Sequence, residues 1–232
     1  MEHVERPGII ALASTSVDIS GRTATLEMTY TLLAVSVVFA GLGGYVGSET
    51  GWLVEFFTTF VGIIVALVLL NAIPMFAIAC LKSPGLGLIA LAADGFVSGL
   101  VVSPAIYAAR VVDPRILVVA MALTGAIFAA VSAYVASSGR VFSPPRAIAV
   151  GVFGSLVAAL LLNRYLEIGA LGVMLSAGLG AFGVFILVIN TSRVLRNPEG
   201  TGAIPGALML FAGIFNVFVG VLNLLLRLTS RD

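Results

Sequence analysis

Residues 85–109 read GLGLIALAADGFVSGLVVSPAIYAA, and Asp94 is the only acidic or basic side chain in that stretch. A helix that crosses the roughly 30 Å hydrocarbon core of a bilayer needs about 20 apolar residues. This stretch is long enough, so it places the chain in a membrane. Asp94 falls about nine residues in, or roughly 14 Å at the helical rise, near the middle of the core. An aspartate there costs about 2.5–3.5 kcal/mol on insertion scales. Every other intramembrane polar group also needs an explanation, and few are available.

Six more stretches read the same way, over about 29–46, 52–80, 115–137, 144–162, 167–192 and 204–228. The expected fold is all-α: an integral membrane bundle of seven transmembrane helices forming one domain over 29–228. No loop is long enough to be a soluble domain. Residues 1–28 hold Glu2, Glu5, Arg6, Asp18, Arg22 and Glu27. They are too polar for a secretory signal, so they read as a mobile or interfacial tail, with the first span acting as the insertion signal. Composition agrees. Of the 232 residues 60% are hydrophobic and 10% charged, against about 25% charged in soluble domains. The mean hydropathy is +1.16.

The same composition excludes several chemistries. A net charge of +1 gives no basic field for nucleic acid. Cys80 is the sole cysteine, which rules out an intrachain disulfide and a thiolate metal cluster. His3 is the sole histidine and lies in the polar tail, so no imidazole works inside the membrane. No metal site and no cofactor are expected.

Local chemistry marks several span starts. Ser83-Pro84, Asp113-Pro114 and Ser143-Pro144 each set a capping side chain before a proline. Pro205 opens the last span after the turn NPEGTG. Pro74, inside the long second span, removes a backbone donor and predicts a kink there, with Asn71 a satisfied amide beside it. Trp52, Tyr45 and Tyr165 sit near span ends, as interfacial anchors do. Lys82, Arg193 and Arg196 read as snorkelling boundary charges, and Cys80 as an apolar filler. Arg6, Arg22, Lys82, Arg140, Arg146, Arg193 and Arg196 fall on the N-terminal side, against Arg110, Arg115, Arg164, Arg227 and Arg231 on the other. This excess favours a multi-pass protein of the cell membrane with a cytoplasmic N-terminus.

Small residues recur at helical spacing. Gly125, Ala129, Ala133 and Ser137 repeat every four in the fourth span. Gly172, Ser176, Gly180 and Gly183 line one face of the sixth, with Asn190 near it. Gly206, Gly213 and Gly220 repeat every seven in the last span, and Asn216 and Asn223 each follow a glycine by three. Lipid gives helices no hydrophobic reason to associate, so close backbone approach and hydrogen bonds hold them together. These stripes read first as packing seams. A sharper reading makes spans six and seven the lining of a polar path.

Asp94 allows two readings. Ser98 shares its face one turn on, and no span holds a basic residue to pair with it. Burial without a cation favours the neutral carboxyl. It is either an ion- or proton-responsive group on a path through the bundle, or a hydrogen-bonded core acid that fixes helix register. Asp94, Ser98, Asn190, Asn216 and Asn223 are thus the candidates for an ion path or pH sensor.

The order of motifs resembles the Bax inhibitor-1 family, in a prokaryotic-type member. TYTLLAVSVVFAGLGGYVG (29–47) looks like its first span and LIALAADGFVSGLVVSPAI (88–106) like its third. FILVINTSRVLRNPEG (185–200) looks like its sixth, which usually closes on Tyr-Asp-Thr-Gln and a basic pair. GALMLFAGIFNVFVGVLNLLLRL (206–228) looks like its last. The likeness covers roughly residues 25–228. It implies a seven-span bundle with the last helix central. It also implies a pH-sensitive calcium leak or, in other members, regulation of cell death or of membrane-protein quality control. Calcium-leak members use a pair of aspartates in spans six and seven as a proton-sensing latch. Here Asn190 stands where the first is expected and Gly213 where the second is, and the span-two arginine that accompanies them is absent. Losing all three together is self-consistent, because a lone buried arginine would be costly. Asp94 remains as the acid that could sense protons.

Two functions follow as expectations. One is a cation leak, passing calcium ions or protons, gated by spans six and seven and influenced by Asp94. The other is a non-transporting regulator that binds another membrane protein through its small-residue faces. An enzyme is not expected: one intramembrane acid, with no histidine or lysine in a span core, does not make a catalytic set. A coupled transporter is also disfavoured, because a single intramembrane charge gives little to couple to.

Overall fold

A computed structural model of the chain describes residues 7–80, 84–143, 152, 154–159 and 169–229. The described chain is helical and contains no strand. Six of its helices are long and apolar enough to cross a membrane. Most of the expected span at 144–162, with Tyr165, Lys82, and the Ser83-Pro84 and Ser143-Pro144 caps, lies wholly or partly outside the described residues; within that span, 154–159 are helical.

Helix α1 runs Pro7–Glu49. Its 43 residues would measure about 64 Å, twice the hydrocarbon thickness. The expected tail is therefore helix from Pro7 onward, continuous with the first span. Its polar end is tied down, because Arg22 donates to the Leu195 carbonyl at 2.6 Å. Inside the span, Thr29 and Ser36 are buried, and each hydroxyl donates to the carbonyl four residues back. This is how short polar side chains are accommodated in a membrane helix.

The second expected span divides into α2, Gly51–Thr58, and α3, Phe60–Ala79. The break falls at Thr59, not at Pro74. Thr59 is extended (φ −75°, ψ 159°), and its hydroxyl accepts from the Gly62 amide at 3.0 Å and donates to the Phe56 carbonyl at 2.7 Å. A threonine that caps a new helix terminates the old one. Pro74 lies within uninterrupted helix.

Helix α4 is Pro84–Val112 and α5 is Arg115–Ser138. As the Asp-Pro pair predicts, Asp113 Oδ1 accepts from the Arg115 amide at 2.8 Å. Gly139, at φ 65°, ends α5 in the left-handed conformation that glycine adopts without strain. Helix α6 is Gly169–Arg196, the short α7 is Pro198–Thr201, and α8 is Ala203–Thr229. Asn197 caps α7 by accepting from the Gly200 amide at 3.1 Å.

Among the described residues, two pairs of spanning helices touch backbone to backbone, besides the α2–α3 break where Gly62 meets the Phe56 main chain. Gly95 and Gly99 of α4 lie against Ser36, Ala40 and Gly44 of α1, and Gly43 of α1 lies against Phe96. A Cβ at Gly95, Gly99 or Gly43 would overlap the opposing main chain. The second pair is α6 with α8. Gly180 faces Gly220, Gly183 faces Asn216 and Val217, and a Cβ on Gly213 would sit 3.0 Å from Leu187 Cα. Gly206 of α8 faces Thr29 of α1, 3.0 Å from its methyl group by the same construction. Helix α8 also touches α3, α4 and α5, so five long helices surround it. The core follows: Leu187, Ala207, Leu208, Leu210 and Phe211 pack with Leu32, Leu91, Val131 and Val135.

The stripe expected to pack in the fourth span turns outward. Gly125, Ala129, Ala133 and Ser137 are all exposed, and nothing lies within 4 Å of a Cβ on Gly125. The buried face of α5 is Ile116, Ala120, Thr124, Val131 and Val135. It is the larger, branched face, and it fills the space that α8 leaves.

The contrast gives a test. Gly99→Leu should force α1 and α4 apart and lower stability by about 2 kcal/mol or more. Gly125→Leu should stay within about 0.5 kcal/mol of the parent. Chemical unfolding of the purified protein in detergent reads both, and equal losses would contradict this packing.

Candidate functional site

Residues of α2, α3, α4, α6 and α8, with Leu156 and Val157 of the helical 154–159 segment, line a cavity of about 630 Å³. Asp94 and Ser98 reach it from α4, Asn71 from α3, Ser176 from α6, and Asn216, Asn223 and Arg227 from α8. Its walls are mainly apolar, including Leu67, Leu70, Val101, Leu179, Phe211 and Phe215. Along α8 it extends from Phe211 to Arg227, which is about 24 Å at the helical rise.

Asp94 is only 4% exposed and Ser98 only 3%. Their spacing of four puts both on one helix face. Among the described residues, neither the Asp94 carboxyl nor the Asn216 amide has a hydrogen-bond partner, so both open onto the cavity. The other polar groups behave differently. Asn71 Nδ2 donates to the Leu67 carbonyl at 2.7 Å, and Asn223 Nδ2 to the Val219 carbonyl at 2.8 Å. Ser176 Oγ donates to the Gly172 carbonyl at 2.9 Å. Each of these bonds stays within its own helix, and each side chain keeps an oxygen that can accept from a group in the cavity. A carboxylate with surrounding acceptor oxygens suits a cation.

Arg227 marks the other end of the cavity. Its guanidinium lies against Gly172, where a Cβ would collide with it. Among the described residues no acid pairs with it, and no group of three or more His, Cys, Asp or Glu could hold a metal ion. Asp94 is the one carboxylate in the lining.

Of the five candidates from the sequence, Asp94, Ser98, Asn216 and Asn223 meet at this cavity and Asn190 does not. Asn190 Nδ2 donates to the Met209 carbonyl at 2.6 Å and so fastens α6 to α8. The five packing glycines are all in contact: Gly172 with Arg227, Gly180 with Gly220, Gly213 with Leu187, and Gly206 with Thr29 and Val194.

Sequence reasoning missed three contributors. Asn71 reads as a satisfied amide near a kink, yet it lines the cavity. Ser176 reads as a packing residue, and Arg227 only as one of the basic residues that bear on orientation. Their mid-span or end-of-span polarity was visible, but their shared cavity depends on how α3, α6 and α8 are arranged. Other polar contacts lie at the bundle ends. Arg110 pairs with Glu49 and donates to Ser48 at 3.1 Å. Arg196 donates to the Val135 carbonyl at 3.0 Å, and the Phe142 amide to Ser192 at 3.0 Å.

Comparison with known proteins places the chain among relatives. An uncharacterized protein of Neisseria meningitidis serogroup A is 28% identical over 218 residues, covering 91% of this chain and 94% of that one. An uncharacterized protein of Campylobacter jejuni is 28% identical over 209 residues, 89% of each chain. An uncharacterized membrane protein of Vibrio cholerae is 30% identical over 128 residues, 54% of this chain and 56% of that one. The family model described as "Inhibitor of apoptosis-promoting Bax1" matches residues 22–231. With its apolar spanning helices and that match over most of its length, the chain belongs to the Bax inhibitor-1 family and is a multi-pass membrane protein.

Proposed function

We propose that this protein is a non-enzymatic, pH-sensitive leak pathway for cations, calcium and protons among them, with the Asp94 cavity as its vestibule. One observation carries the reading: a buried carboxyl, without a hydrogen-bond partner among the described residues, lines a cavity together with hydroxyl and amide side chains. An intramembrane acid is costly, and a structural one would be expected to find a donor. The proposal includes seven spans, the fifth supplied by 144–162, in the cell membrane with a cytoplasmic N-terminus.

Closure is also accounted for. Beyond Asp94 the bundle is filled by Leu91, Leu187, Leu208, Leu210 and Phe211, an apolar layer of the kind that gates by excluding water. The α6–α8 contact through Asn190 carries no titratable group, so Asp94 supplies the pH response. Its charge can only grow more negative as pH rises, which draws cations into the vestibule.

Purified protein in liposomes should pass calcium or protons above the level of empty vesicles, with more flux at pH 8 than at pH 6. In Asp94→Asn the pH difference should vanish. No flux above empty vesicles would end the leak reading. Accessibility gives a second check. In a Cys80→Ser background, Ser98→Cys should react with a water-soluble thiol reagent, while Leu187→Cys, at a fully buried position, should not. Equal labelling would contradict a one-sided vestibule.

A second reading, a non-transporting regulator that binds another membrane protein, has one surface in its favour. The glycines of α6 and α8 are used internally, but Gly125, Ala129, Ala133 and Ser137 of α5 face outward. Such a stripe allows close approach of a partner helix. A photo-crosslinker at Ala129 should then capture a membrane protein in intact membranes, and Gly125→Leu should abolish the adduct. An unchanged adduct in that variant would reject this surface.

A further inference from the structure

The cavity's dimensions exceed what a passing ion requires. About 630 Å³ lies within the range of small-molecule sites, roughly 300–1,000 Å³. Such sites are mostly apolar with a few placed polar groups, and this one is lined by Leu, Val and Phe around a single carboxylate. The oxygen supply is also telling. Calcium takes six to eight oxygens and is held tightly by several carboxylates. Here one carboxylate shares the lining with the Ser98 and Ser176 hydroxyls, the Asn71, Asn216 and Asn223 amides and Arg227, in a wall that is otherwise apolar. An ammonium head needs one negative charge and two or three acceptors, which is the set present. Phe211 and Phe215, whose ring centroids are 5.9 Å apart, border the same space and can face a cation. Arg227 puts a positive charge at the far end, which disfavours a ligand with a second cationic group there.

We propose that the cavity is a binding site for an amphipathic organic monocation, with its ammonium on Asp94 and Ser98 and its apolar body along Leu67, Val101 and Phe215. This goes beyond the leak reading and does not depend on flux. A ligand can occupy the vestibule whether or not ions cross the apolar layer, and a leak can exist without such a ligand.

The test is calorimetric titration of the full chain in nanodiscs, with the same probes titrated into protein-free nanodiscs as the baseline. Three probes share one apolar body: 4-phenylbutylammonium, 4-phenylbutanol and 4-phenylbutyrate. Saturable binding of the ammonium is expected, about tenfold or more tighter than that of the alcohol or the carboxylate. Asp94→Asn keeps the side-chain shape and should remove that preference. Ala212→Phe, which fills part of the same lining while leaving the acid in place, should weaken ammonium binding about tenfold or more. It keeps the proposal testable if Asp94→Asn does not fold. No saturable ammonium binding in the parent, equal affinity for all three probes, a preference that survives in folded Asp94→Asn, or unchanged binding in Ala212→Phe would each overturn the site. Flux measurements stand apart from these outcomes, so failure of one reading is distinguishable from failure of the other.

Discussion

The close approach of main chains at glycine is the constraint on which this structure depends. In hydrocarbon, helix satisfies the backbone within each segment, and nothing apolar is gained by moving a leucine from lipid to a neighbouring helix. What holds two spans together is dispersion between surfaces that can come very near, together with a few hydrogen bonds. Gly95 and Gly99 against α1, and Gly180 and Gly183 against α8, supply that nearness. Each pair becomes a rigid two-helix unit. Helix α8 then joins the units, because it packs on α6 through glycines and on α1 at Gly206.

The cavity is a consequence of the same arrangement. Tight pairs fix the distance between the remaining helices, and where Leu, Val and Phe replace glycine the helices stand apart. Asp94 lies beside Gly95, which is pressed against Ser36 of α1. The close α1–α4 contact therefore sets the position of the acid, and the adjoining face of α4 carries it into the open space. Among the described residues no donor reaches the acid, while Asn71, Ser176 and Asn223 each donate within their own helix.

Charges outside the spans do mechanical work at the bundle ends. Arg22 reaches the carbonyl of Leu195 near the end of α6, and Arg196 reaches that of Val135 near the end of α5. The last carbonyls of a helix have no partner within it, so an arginine there satisfies an orphan acceptor and complements the helix dipole. Basic residues on the N-terminal side thus tie α1, α5 and α6 together, beyond any effect on orientation.

Residue order alone determined the six spanning helices found among the described residues, because length and apolarity are local properties, and it singled out Asp94 as the acid within one of them. It also determined the α6–α8 seam in outline, since Gly172, Gly180, Gly213 and Gly220 keep helical spacing. It set the family too, since the motifs and their order are matters of sequence. Periodicity defines a face but not what meets that face. The stripe from Gly125 to Ser137 has the spacing of a seam yet looks outward, while Gly43, Gly95 and Gly99, which form the tightest contact, stood out less. Thr59 breaks the second span because its hydroxyl caps Gly62, a local signal that Pro74 overshadowed. Asn190 shares its helix face with the path candidates but is taken up by the Met209 carbonyl. Only tertiary structure decided that Asp94, Ser98, Asn71, Asn216 and Asn223 share one space, because that depends on the rotation of four helices about their axes, which close contacts elsewhere in the bundle impose.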